Sequence, residues 1–201
     1  MDLNIIENAI PLGCQKIVKE IAENKGLEWF YTDQTISVDY NFNKHQFTHM
    51  LYKDDTGPCS DVYDKIMEFF QFPEFKTHSL VRAQFNLNTP YKRKYIDDII
   101  HVDAYDSDHV SYLYYVHDTD GPTTFYDSNV DIVKYKPRRW HKRTVHPKQG
   151  RMVKFSSNIK HSSNVPFKYE RRIVFNVIFG PMKPINFTTP HKYNHAFHKK
   201  Q

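Results

Sequence analysis

The stretch "IIHVDAYDSDHV" sets His101 and Asp103 two residues apart in a run that starts with Ile99 and Ile100. Side chains at i and i+2 of a strand share a face, so an imidazole and a carboxylate point the same way if this segment is extended. The polar "DSDH" that follows puts the pair near a strand end, where a pocket can open. Alone, the pair also reads as a histidine hydrogen-bonded to a nearby carboxylate. Downstream, however, come the strand-like "RMVKF", then His161 in what reads as the loop "IKHSSNVP", then Arg171 and Arg172 at the head of "RRIVFNVIF". Two imidazoles and one carboxylate occupy one face of an octahedral metal and leave the other positions open to exchangeable ligands.

The elements that must position these groups are mostly strands. Residues 11–24, "PLGCQKIVKEIAEN", read as a helix, with Pro11 near its start and Ile17, Val18 and Ile21 at helical spacing. "LEWFYTDQTIS" and "QFTHMLYKD" read as strands. Residues 60–72, "SDVYDKIMEFFQF", read as a second helix with Ser60 as its cap and Val62, Ile66 and Phe69 as its buried stripe. From His78 onward short alternating runs are separated by turn residues: "SLVRAQFNLN", "IIHVDAY", "HVSYLYYVH", "TTFYD", "RMVKFSS" and "RRIVFNVIFG". This spacing predicts a β-sandwich or barrel with the earlier helices on its outside.

Composition narrows the class. The chain has 201 residues, suited to one domain, and 15 Phe with 14 Tyr supply a core. No apolar run approaches the roughly 20 residues of a membrane span. The opening "MDLNIIENAIPLGCQ" lacks a basic region followed by an apolar stretch, so no signal peptide is expected. Two cysteines, Cys14 and Cys59, are too few for a disulfide scaffold and point to a reducing, cytoplasmic setting. The net charge of +5 permits acidic partners without requiring them. Part of that excess lies in "PRRWHKR", residues 137–143, which reads as a solvated basic loop or as a substrate-facing one. His191, His195 and His198 read as a mobile tail. His109, His117, His141 and His146 read as surface or packing residues.

Two histidines with a carboxylate mark the non-haem ferrous oxygenases, and here a wider resemblance supports them. The blocks "HVD", "YLYYVHDTDGPTTFYD", "PKQGRMVKFSSNIKHSSNVP" and "RRIVFNVIF" resemble the iron(II)- and 2-oxoglutarate-dependent dioxygenases. They are most similar to small prolyl-4-hydroxylase-like members, including ones carried by bacteriophages. The middle block matches a tyrosine-rich strand followed by a Gly-x-Thr-x-Phe turn, here Gly121, Thr123 and Phe125. The resemblance covers about half of the chain. It implies a mainly β, double-stranded β-helix (jelly-roll) core with N-terminal helices outside. One domain would span 1–201, with a supporting layer over 1–77, the jelly roll over 78–182 and a tail over 183–201.

By position, the resemblance makes His101, Asp103 and His161 the iron ligands. It calls for an arginine to bind the distal carboxylate of 2-oxoglutarate, ideally by a bidentate fork. Arg172 is preferred over Arg171, because it is followed four residues later by Asn176 and comes eleven residues after His161. Tyr115, and after it Tyr112, are expected to hydrogen-bond the co-substrate, the alternative being that they pack the sandwich; Asn86 is a further pocket residue. The implied reaction consumes 2-oxoglutarate and O2, releases succinate and CO2, and hydroxylates a C–H bond, with ascorbate as an accessory. A protein or peptide side chain is the expected substrate, the location being host cytoplasm if the protein is viral. A nucleic-acid or nucleotide substrate is the alternative, although the second arginine of that branch, six residues after the first, is replaced here by Val177 or Ile178. Free small molecules, and a binding module without catalysis, complete the readings.

Overall fold

The computed structural model describes residues 2–32, 46–90, 100–127 and 142–182. Most of the basic segment (137–141, including His141) and the tail histidines His191, His195 and His198 lie outside the described residues.

The main sheet has eight strands. Its path runs through β1 (Leu3–Ile6), β9 (Met152–Ser156), β6 (Val110–Tyr115), β11 (Arg172–Pro181), β5 (His78–Asn88), β3 (Gln46–Lys53) and β2 (Phe30–Thr32), and the short β4 (Gly57–Pro58) pairs with β3. Facing it is a smaller sheet in the order β10 (His161–Ser163), β7 (Thr123–Tyr126), β8 (Lys142–Val145). Every pairing is antiparallel. This is the jelly-roll arrangement, with the helices outside.

Strand alternation divides the core in two. On β11, Ile173, Phe175, Val177 and Phe179 point to the helix side, as do Tyr112 and Tyr114 of β6 and Ala83 and Phe85 of β5. Helix α1 (Leu12–Ala22) closes that layer with Val18 and Ala22, and Pro11 stands at its N-cap, as the sequence spacing predicts. The opposite face, between the sheets, collects Leu113, Tyr115, Phe125, Val153, Phe155 and Val174. Both faces of β6 and β11 are therefore buried, which is why these strands read as continuous apolar runs.

Several elements differ from expectation. Helix α2 covers only Tyr63–Met67 instead of residues 60–72. The aromatic run after it leaves the helix to pack on the sheet: Phe70 meets Tyr114 at 5.1 Å and Phe72 meets Tyr112 at 4.7 Å. Pro73 bars the helix from reaching residue 72, since the residue before a proline is driven to extended backbone, here Phe72 at φ −73° and ψ 123°; the helix itself already ends at Met67. Leu3–Ile6 forms a strand that the sequence reading left unassigned, with Leu3 entering the inter-sheet core. His161 opens a strand, not a loop: β10 pairs with β7 in the register His161–Phe125.

Candidate active site

The three metal-binding candidates come from two segments stitched together by backbone. His101 and His161 form an isolated antiparallel bridge, each N–H donating to the other's carbonyl, at 2.9 and 2.8 Å. Two residues on, Asp103 N–H donates to Ser157 O at 2.9 Å, which fixes the carboxylate beside the turn leading into β10. The two imidazole rings lie 4.2 Å apart between centroids. One ligand atom from each of His101, Asp103 and His161 falls within 4.8 Å of the other two. The expectation that the pair shares a strand face is replaced by a single bridge at His101, with the same convergence as its result.

Hydrogen bonds decide which atoms face the centre. His161 Nδ1 lies 2.9 Å from Ile159 O, so it carries the proton and leaves the Nε2 lone pair for a cation. Asp103 Oδ2 accepts from Ser111 Oγ at 2.6 Å and from Asn176 Nδ2 at 3.4 Å, while Oδ1 faces His161 Nε2 at 3.9 Å. Burial opposes ionisation of Asp103. His161, Arg82 and His101, together with the Ser111 bond, outweigh it and hold the carboxyl below its ordinary value. The donor set, two imidazole nitrogens and a carboxylate with one oxygen turned inward, fits a divalent cation with open positions. The Ser111→Ala variant is expected to fold but to bind Ni(II) or Fe(II) about 10- to 100-fold more weakly by calorimetric titration, the usual cost of losing an outer-shell partner.

Arg172 lies along the same cavity, which measures about 260 Å³. It is 1 % exposed and forms no ion pair among the described residues. Three neutral acceptors hold it: Gly121 O takes Nε at 2.7 Å, Thr123 Oγ1 takes Nη2 at 2.8 Å, and Asn88 Oδ1 takes Nη1 at 3.3 Å. Burial pulls the guanidinium below its ordinary pKa, although arginine stays protonated. Gly121 is required by contact: a Cβ there would lie 2.6 Å from Asn164 O and 2.9 Å from Arg172 Cδ. Next to Arg172, the N–H of Ile173 donates to His117 Nε2 at 3.1 Å, tying down the start of β11.

The other predicted residues separate cleanly. Asn176 lines the cavity and contacts Asp103. Tyr115 is buried beside Arg172, its hydroxyl donating to Thr123 Oγ1 at 2.9 Å, so it supports the guanidinium's partner. Burial raises its pKa and keeps it a donor. Asn86 is on the cavity wall. Tyr112 is a correction: it sits on the helix side of β6 and donates to Glu74, which is also paired with Lys154. Tyr112 and Tyr115 are three apart on one strand and cannot share a face. Arg171 is at the surface, 3.6 Å from Glu23. Of the basic segment, Lys142 and Arg143 open β8. Cys14 and Cys59 are free thiols.

HygX from Streptomyces hygroscopicus with nickel and 2-oxoglutarate bound is 13% identical, at a TM-score of 0.57, over 90% of this chain and 83% of that one. A prolyl hydroxylase from Trichoplax adhaerens, in complex with a hypoxia inducible factor peptide fragment, is 16% identical at 0.56, over 89% and 83%. A Pseudomonas putida prolyl-4-hydroxylase is 16% identical at 0.54, over 90% and 93%. The chain has the 2-oxoglutarate-oxygenase fold. No family model and no curated protein matches its sequence.

Within this oxygenase fold, the residues near the centre that the spacing does not single out include Arg82, Gln84 and Asn88 of β5, Ser111 of β6 and Gln46 of β3. The sequence carries a signal for the three on β5. In "VRAQFNLN" polar residues alternate at 82, 84, 86 and 88, so one face of β5 is polar in a strand with neighbours on both sides. A buried polar face needs a purpose.

Proposed function

We propose that this protein is an iron(II)- and 2-oxoglutarate-dependent dioxygenase that hydroxylates a C–H bond of a protein or peptide side chain. One observation carries the reading: a cluster of two imidazoles and a carboxylate shares a cavity with a buried guanidinium that has no acid partner among the described residues. The ferrous ion would be held by His101, His161 Nε2 and Asp103 Oδ1. Arg172, pre-set by Gly121, Thr123 and Asn88, would bind the distal carboxylate of 2-oxoglutarate. Bound together, the iron and the keto acid supply the oxidising chemistry that turns O2 and 2-oxoglutarate into succinate, CO2 and a hydroxylated substrate. Ser111 and Asn176 keep Asp103 oriented throughout, and Tyr115 keeps Thr123 turned toward the guanidinium. The likeness in fold to two prolyl hydroxylases, one solved with a peptide, supports a peptide substrate. A small-molecule substrate is the second reading, because HygX has also been solved with hygromycin B bound.

The test is direct. Anaerobic addition of Fe(II) and then 2-oxoglutarate should give a visible charge-transfer band. Succinate release in air, with peptides, amino acids and nucleotides supplied in turn, should then identify the substrate class. Absence of the band with metal demonstrably bound would defeat the proposal.

A further inference from the structure

The cavity contains a second arginine, which helps to keep Asp103 ionised but to which the chemistry above gives no ligand. Arg82 stands on β5 across from Ile178 of β11. Its Nη2 is 3.7 Å from Asp103 Oδ1 and 3.4 Å from Asn176 Oδ1. Both contacts are long beside the roughly 2.7–2.9 Å of a charge-assisted hydrogen bond. Its Nε is buried with no hydrogen-bond partner among the described residues. Arg82 approaches the inward oxygen of Asp103, whereas Ser111 and Asn176 hold the other oxygen. It therefore stands beside the positions where ligands exchange.

Charge balance then restricts what can bind. Asp103 is the one acid lining the cavity among the described residues, against Arg82 and Arg172. A ferrous ion brings two positive charges and 2-oxoglutarate two negative ones, so loading both leaves one positive charge over. Arg172 is taken by the keto acid's distal carboxylate, and the charge of Asp103 is spent on the metal. The cation left over is Arg82. Its side chain is 33 % exposed, but the Nε is buried and unpaired among the described residues, and the Nε–Nη2 edge of a guanidinium matches the two oxygens of a carboxylate.

We propose that Arg82 binds a carboxylate of the substrate, so that the carbon hydroxylated lies close to an acid group. That group is either the α-carboxylate of a free amino acid or the side chain of an acidic residue in a peptide. The inference rests on the oxygenase reading and deepens it.

The test uses the full chain, loaded anaerobically with Fe(II) and saturating 2-oxoglutarate and titrated with acetate or with neutral acetamide while the visible band is followed. Acetate should perturb the band and acetamide should not. Arg82→Met should weaken the acetate response about tenfold or more, and Arg82→Lys should restore part of it. Affinity for 2-oxoglutarate, measured by calorimetry, should fall less than the acetate response in both variants, since Arg82 touches the Asp103 side of the site and no direct bond to 2-oxoglutarate is assigned to it. Free L-aspartate set against N-acetyl-L-aspartate N-methylamide separates the two sources. An Arg82-dependent response to either supports the proposal. Equal responses to acetate and acetamide would overturn it, as would an acetate response unchanged in Arg82→Met. A loss of 2-oxoglutarate affinity as large as the loss for acetate would assign Arg82 to the co-substrate instead, and also overturn it. A missing band in the unaltered protein would remove the oxygenase reading as well; a band without discrimination removes only this inference.

Discussion

Asp103→Ala abolishes ferrous-ion binding and the visible band of the 2-oxoglutarate complex: this is the largest effect expected. Asp103 is the carboxylate of the cluster, its side chain is 5 % exposed, and its ionised form is favoured by the surrounding imidazoles and guanidinium. Removing it leaves two imidazoles and raises the local positive charge, so a dication loses a ligand and gains repulsion from Arg82. The fall in metal affinity should exceed the about 100-fold that marks the upper range for an outer-shell partner. His161→Ala should behave alike, because Nε2 is the nitrogen left without a proton. Calorimetric titration with Ni(II), and then Fe(II) with 2-oxoglutarate, would measure both. If the cluster were only a structural histidine–carboxylate pair, the unaltered protein would bind no metal and the alanine variants would differ in stability alone.

Arg172→Met should raise the dissociation constant for 2-oxoglutarate by about 30-fold or more, the equivalent of about 2 kcal/mol for truncating one side of a buried charge pair. The same experiment on Arg171→Ala should give almost no change, since Arg171 faces Glu23 at the surface and such pairs are worth about 1 kcal/mol or less. The unliganded Arg172→Met protein is expected to melt no lower than the parent. Its guanidinium is buried against neutral acceptors only, so removing the charge relieves a desolvation cost that offsets the lost hydrogen bonds. An affinity loss without a stability loss is the signature of a residue held ready for an anion. A lower melting point with unchanged 2-oxoglutarate binding would instead make Arg172 a structural strut.

Residue types and local periodicity carried much of this site. His101 and Asp103 are two apart and each lands at the centre; "RRIVFNVIF" alternates, so that Arg172, Val174 and Asn176 share one face and leave Arg171 outside. Gly121, Thr123 and Phe125 likewise alternate, and all three end up around the centre: Gly121 and Thr123 on Arg172, and Phe125 packed 5.7 Å from the His161 ring. The same parity puts Tyr112, three residues from Tyr115, on the helix side of β6 and away from the co-substrate site.

What the chain could not disclose locally is how separate segments meet. His101 and His161 are neighbours only because one backbone bridge joins the segments that carry them, and Ser111 reaches Asp103 only because β6 pairs with β9, just after which Ser157 holds the Asp103 backbone. Arg82 is the clearest case. Its place among alternating polar residues was visible in the sequence, but its distance to Asp103 depends on the β5–β11 register and the irregularity that shifts it beside Ile178. The face on which a side chain lies follows from a period of two residues, a local property of the backbone. The partner it meets there follows from long-range strand pairing, which one sequence read by its spacing does not contain.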